Sequence, residues 1–276
     1  MNLSEAFDSY LLDVIVYRNQ SPKTEENHRI VKKNLLSHFG DIDVCTLTFP
    51  MIRDWKLGLD KGRSPETVRN YIIKLRVVLA YLRKQGVGCI DTDIIPIPQR
   101  RDKVPVFITK EQVSKLIDST CKLRNKAIIS LLFSSGIRVS ELCRLDIGDI
   151  KDKRFTVVGK GGKARLCFVD DRTDLYIRKY LRTRKDNENA LFMSSWGRMT
   201  PGNVQEIFKY ARKKANLPNV HPHTMRHSFA TSLLQSNMNI RYVQTLLGHA
   251  SLLTTQMYTH VVDFDLEKAY NEHHVT

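Results

Sequence analysis

A chain of 276 residues has room for one or two domains with conventional cores, and 42% hydrophobic with 26% charged residues describes a globular polymer, not a disordered one. Lys plus Arg number 44 against 29 for Asp plus Glu, a formal charge of +15 that suits a polyanionic partner, either nucleic acid or an anionic membrane surface. Acidic Glu5, Asp8 and Asp13 precede the first basic residue, Arg18, which excludes a secretory leader, and the uncharged run Tyr242 to Val262 is too polar for a membrane span. Five scattered cysteines without a C-x-x-C fit reduced thiols in a cytoplasmic protein.

Along the chain, helices are expected near 4–18, 23–38 and 49–59. From Pro65 to Lys84, apolar Val68, Ile72, Leu75, Leu79 and Leu82 recur at alternating steps of four and three, the stripe of an amphipathic helix. Ser64, Pro65 and Glu66 form its start: a capping hydroxyl, a first-turn proline and a first-turn acid. Residues 1–95 therefore read as a small all-helical domain. The proline-rich segment 96–105, with its RRDK cluster, reads as a linker, and 106–276 as a larger second domain. There, Thr109 and Gln112 form a capping-box pattern, and helices are expected over Ala127–Phe133 and Val139–Arg144. Two β-prone runs flank Gly159-Lys160-Gly161-Gly162-Lys163, the pattern of a hairpin with a glycine-rich turn. From about Thr173 onward the spacing is helical. The fold class is mainly α with a small antiparallel β-sheet.

The charge is uneven. Residues 1–98 hold 14 basic and 12 acidic side chains, the remainder 30 and 17. Within the first domain Arg69, Arg76 and Arg83 recur every seven residues beside the apolar stripe. They form either an ordinary solvated face or a row of phosphate contacts. Arg100 and Arg101 of the linker and Lys163 of the turn are further candidate DNA contacts.

Four segments could carry chemistry: SSGIRVSEL around Arg138, VVGKGGKAR around Lys160, HPHTMRHSFAT around His223 and Arg226, and LLGHASLLTTQMYTH with His249 and Tyr258. Singly, each has a structural explanation. Arg138 could simply pair with Glu141 three residues on, a turn lysine is usually solvated, and a late tyrosine usually packs. Together they resemble the tyrosine recombinases, and among them the Xer type. The resemblance spans nearly the whole chain and rests on two arginines, a hairpin lysine, two histidines and a late tyrosine in that order. It implies Arg138, Lys160, His223, Arg226, His249 and Tyr258 as the catalytic set. It also implies a SAM-like core-binding domain ahead of the catalytic domain.

The chemistry of those side chains is coherent. Two guanidiniums, Arg138 and Arg226, can match the equatorial oxygens of a phosphorane-like transition state with planar donor forks. His223, one helical turn before Arg226, adds a donor on the same face. Tyr258 is the nucleophile, its phenolate favoured by nearby positive charge. Lys160 can protonate the leaving oxygen as general acid, and Glu141 is placed to orient an arginine or the hairpin from behind. The resemblance implies a 3′-phosphotyrosyl intermediate and a phosphate contact from His249. It implies no cofactor or metal, and the P-loop pattern is absent, with Val157 where its first glycine would stand and Ala164 after Lys163.

Three rival readings follow from the same residues. A histidine metal site could draw on His221, His223, His227, His249 and His260, although no HExxH and no carboxylate sits within the cluster. The others are a non-catalytic DNA-binding protein and a type IB topoisomerase-like enzyme. Phe264, Leu266, Ala269 and Tyr270 form a short apolar face on an expected terminal helix, which folds back on its own domain or docks into a neighbouring subunit. The resemblance implies the second, in a homo-tetramer on double-stranded DNA or a hetero-tetramer with a related recombinase. The compact chain, without an expected arm-binding domain, points to Xer-like multimer resolution. DNA integration and excision by a short mobile-element integrase, or a transposon resolvase, are the alternatives.

Overall fold

Val68, Ile72, Leu75, Leu79 and Leu82 line one side of a 20-residue helix, Pro65–Lys84, and each is at most 1% exposed. Burying such side chains contributes about 1.5–3 kcal/mol apiece. The Ser64 hydroxyl accepts the Thr67 N–H at 3.3 Å and starts the helix. The computed structural model describes residues 1–18, 22–99, 106–159 and 162–248, and the chain divides into two compact units, Met1–Asp102 and Lys103–Thr276.

In the first unit, helices α1 (Leu3–Arg18), α2 (Pro22–Phe39) and α3 (Phe49–Asp60) pack with α4, the Pro65–Lys84 helix, around Phe7, Leu35, Ile52 and Trp55. Trp55 keeps its indole N–H satisfied by donating to Asn34 Oδ1 at 2.9 Å. The heptad arginines of α4 engage main-chain carbonyls of their own unit, with the Arg83 side chain still 44% exposed. Arg69 donates to the carbonyl of Pro98 (3.1 Å), Arg76 to that of Ile95, and Arg83 to that of Cys89 (3.1 Å). Arg76 and Arg83 also face Asp93 and Asp91. The row latches the irregular segment 87–98 along the helix, supplying donors to a stretch with few of its own backbone pairs.

The second unit is built around α6 (Leu123–Ser135). Ala127, Ile128, Ile129, Ser130, Leu131, Leu132 and Ser135 are buried, so this helix is enclosed instead of one-sided. Helix α5 (Lys110–Asp118) opens with the reciprocal capping box of Thr109 and Gln112. The short α7 (Val139–Leu142) covers only the start of the expected Val139–Arg144 helix. Strands β1 (Arg154–Val158) and β2 (Ala164–Phe168) pair antiparallel, Val157 opposite Arg165 and Phe155 opposite Cys167, with alternate residues buried. Helices α8 (Asp171–Leu181), α9 (Pro201–Lys214), α10 (Pro222–Gln235) and α11 (Ile240–Leu247) follow.

The expectation of unbroken helical structure after Thr173 needs correction. Residues 182–200 form an irregular excursion with a second small hairpin, β3 (Met193–Ser194) against β4 (Gly197–Arg198). Gly197 lies at φ 113°, a region that favours glycine. Two arginines hold the excursion by its carbonyls and a neighbouring turn. Arg184 donates to Glu188 (2.7 Å) and Ala190 (2.5 Å), and Arg198 to Cys143, Arg144 and Leu145 at 3.0–3.3 Å. Among the described residues no helix is long and apolar enough to cross a membrane, and all five cysteines are free thiols.

Arg76→Ala should lower the unfolding free energy by about 1–3 kcal/mol in a urea titration, because the Ile95 carbonyl loses a charged donor. An unchanged midpoint with weakened DNA binding would instead favour the phosphate-contact reading of the α4 row.

Candidate active site

Helix α6 ends at Gly136 in the left-handed region (φ 62°), where an added Cβ would collide with the Phe229 ring. Only glycine fits this close approach. The turn places Arg138 at the N-cap of α7, where its backbone N–H donates to Glu141 Oε2 at 2.7 Å and its Nη1 to Oε1 at 2.9 Å. The plain pairing of Arg138 with Glu141 is therefore present. It orients the arginine without enclosing it: Arg138 keeps 33% of its side chain exposed against 5% for Glu141.

Arg226, buried on α10, donates from Nη1 to the Gly136 carbonyl (2.7 Å) and from Nη2 to the Leu247 carbonyl (2.5 Å). One glycine thus joins the two arginine segments. Helix α10 starts at Pro222, with His221 as its cap, the Thr224 N–H donating to His221 Nδ1 at 3.3 Å. His223 and Arg138 line one open cleft of about 610 Å³, together with Ser140, His221, Lys209 and Arg212. Partial desolvation at the cleft wall holds the His223 pKa below its usual value, and the charges of Arg226 and Arg138 lower it further. That cationic setting suits a phosphate. Among the described residues no group of three or more His, Cys, Asp or Glu could hold a metal ion. Lys160, His249, Tyr258 and His260 lie outside the described residues, as do Arg100, Arg101 and the segment from Phe264. Lys163 is exposed, and its carbonyl accepts the Gly159 N–H at 2.9 Å across the hairpin turn.

The model of the phage integrase family matches residues 106–263, more than half of the chain. The chain belongs to this family, the tyrosine recombinases. Tyrosine recombinase XerA of Pyrococcus horikoshii is 37% identical over 228 residues, covering 80% of this chain and 79% of the relative. Tyrosine recombinase XerD of Oceanobacillus iheyensis is 30% identical over 293 residues and covers 99% of both. Among solved structures, a lambda integrase dimer bound to a COC′ core site shares the fold with a TM-score of 0.76 at 19% identity, covering 94% of this chain and 77% of that one. The protein is a site-specific tyrosine recombinase of the Xer type, an enzyme that breaks and rejoins DNA.

The sequence motifs do not single out Arg165 of this recombinase, although it lies within VVGKGGKAR. It is buried on β2, its Nη1 and Nη2 donating to Glu141 Oε1 (3.0 Å) and Oε2 (2.6 Å), and its Nε to the Leu246 carbonyl (3.0 Å). Strand alternation carried the available signal. Arg165 shares the inward register of Cys167, and a cation on a buried face requires a partner. Burial would raise the Glu141 pKa, but hydrogen bonds from Arg165 and Arg138 outweigh it and bring the carboxyl to about 2. Glu141 therefore stays an anion throughout the working range.

His227, one position after Arg226, has its pKa lowered from 6.5 to about 4 by burial and by neighbouring His223, His221 and Arg226. Between these values the unfolded chain binds a proton that the folded site resists. The share of stability tied to His227 should then fall as pH drops from 6.5 to 4, by at most about 3 kcal/mol. Urea unfolding across that window should show this slope, and His227→Gln should make it shallower, leaving the part due to His28, His221 and His223.

Proposed function

We propose that this recombinase cuts each DNA strand by in-line attack of Tyr258 on one phosphodiester, giving a 3′-phosphotyrosyl link and a free 5′-hydroxyl. Arg138 and Arg226 hold the equatorial oxygens, His223 and His249 donate further hydrogen bonds, and Lys160 protonates the leaving oxygen. Attack by a second strand's 5′-hydroxyl then expels Tyr258 and reseals the backbone, so the phosphodiester's energy is conserved through the link. The observation that carries this reading is the joining of the two arginine segments at Gly136, with His223 in a cationic cleft beside Arg138.

The substrate is a specific duplex recombination site, bound by a homo-tetramer or by a tetramer shared with a related recombinase. Docking of the segment from Phe264 onward into the neighbouring subunit links the protomers. Xer-named relatives at 30–37% identity that align along most of their length favour Xer-like multimer resolution in the cytoplasm over mobile-element integration. Affinity should fall by about 0.9 log units per log unit of salt for each phosphate contacted.

Tyr258→Phe should bind its site with unchanged affinity yet form no covalent adduct on a nicked duplex in a denaturing gel; an adduct would remove Tyr258 as the nucleophile. Arg138→Ala should slow cleavage by about 100-fold or more while changing affinity far less, because its contact strengthens as charge develops.

A further inference from the structure

Arg165 touches more of the site than its place on a strand suggests. Its fork grips both oxygens of Glu141, and those same oxygens accept the Arg138 side chain and backbone N–H. Its Nε reaches the Leu246 carbonyl at the end of α11. A Cβ built on Gly248, which follows at φ 63°, would lie 2.8 Å from Arg165 Cδ, so the chain leading to His249 packs directly on the arginine's stem. At the turn of the hairpin, a Cβ on Gly159 would lie 3.5 Å from Arg165 Nη1 and 3.8 Å from Arg138 Nη1. Gly159 is the residue immediately before Lys160.

We infer that Arg165 is a positioning residue that sets the Lys160 hairpin in register with Arg138, using Glu141 as the shared carboxylate. Arg138 keeps its own two bonds to Glu141 without Arg165, whereas among the described residues the charged tie of the hairpin to the α7 turn is the Arg165 fork. Loss of the fork therefore falls mainly on the lysine. The inference rests on the catalytic roles proposed above for Arg138 and Lys160. A lysine at 165 retains a cation to face Glu141, but a single ammonium cannot reproduce two parallel bonds plus the Nε contact.

The test is single-turnover cleavage of a nicked recombination site by the full chain carrying R165K, K160A or both. R165K should bind DNA within about two-fold of the parent and cleave about 100-fold more slowly, the cost of a misplaced catalytic group. The double variant should cleave no more slowly than K160A alone, since Arg165 acts through Lys160. Multiplied defects in the double variant, or an R165K rate equal to the parent's, would overturn the inference. R165Q, which can still donate to Glu141, is the second variant if R165K does not fold. If neither yields a DNA-binding protein, Arg165 serves folding and the inference falls.

A substrate with sulfur at the 5′-bridging position separates this from failure of the underlying mechanism. A thiolate leaves without a proton, so the sulfur should restore K160A and R165K alike. Failure to restore K160A would remove Lys160 as general acid and leave the double-variant comparison to judge Arg165. Restoration of K160A but not R165K would overturn the inference.

Discussion

The site depends on one buried carboxylate serving two guanidiniums. Glu141 accepts four hydrogen bonds, two from Arg165 and two from Arg138, and its oxygens have no other partner among the described residues. Two cations around one anion leave a net positive charge, and its outlet is set by burial. Arg165 has 5% of its side chain exposed and Arg138 has 33%, so the surplus faces the cleft through Arg138. A buried ion pair adds little to stability by itself, because desolvation offsets much of the attraction. Its value here is geometric: a fixed fork presented to a ligand without reorganisation is what transition-state stabilisation needs.

Backbone carbonyls complete the framework. Leu246 and Leu247 lie at the end of α11, where carbonyls have no intrahelical partner and the helix dipole is negative. Arg165 takes the first and Arg226 the second, while Arg226 also holds Gly136. Two cations therefore cap one helix and tie it to the turn bearing Arg138. The C-terminus of α11 is fixed by the same groups that organise the phosphate site, just before the chain reaches His249. The catalytic role proposed for Arg226 therefore sits on a side chain that also holds the framework, and a defect in its variants will combine both.

Features with local causes were legible in the sequence. The α4 stripe, the Ser64 and Thr109 caps and the β1–β2 hairpin each follow from periodicity or a short pattern within a few residues. Arg138 and Glu141 were legible as a pair because they are three residues apart. Arg165 was not, since its partners are Glu141, 24 residues away, and Leu246, 81 residues away. The excursion at 182–200 was missed for the same reason. It has no strong periodicity, and its shape is held by arginine-to-carbonyl bonds that include the distant α7 turn. The heptad row on α4 shows the converse, a pattern visible in sequence whose carbonyl partners lie on an irregular segment that periodicity does not describe.

These bonds change what the +15 charge means. It first stood for a polyanionic partner, and a count of cations would suggest many phosphate contacts. Yet Arg69, Arg76, Arg83, Arg124, Arg165, Arg184, Arg198 and Arg226 all donate to main-chain carbonyls of their own unit. Irregular segments and helix ends expose acceptors that water would otherwise satisfy, and a long side chain with five donors can reach several at once. Such an arginine adds to net charge and long-range attraction, but it can contact a phosphate only with donors left over. Arg165, nearly enclosed and with Nε, Nη1 and Nη2 all engaged, shows this most clearly. The cations that grip DNA must therefore be fewer than the sequence total, and exposure together with unengaged donors, not charge alone, identifies them.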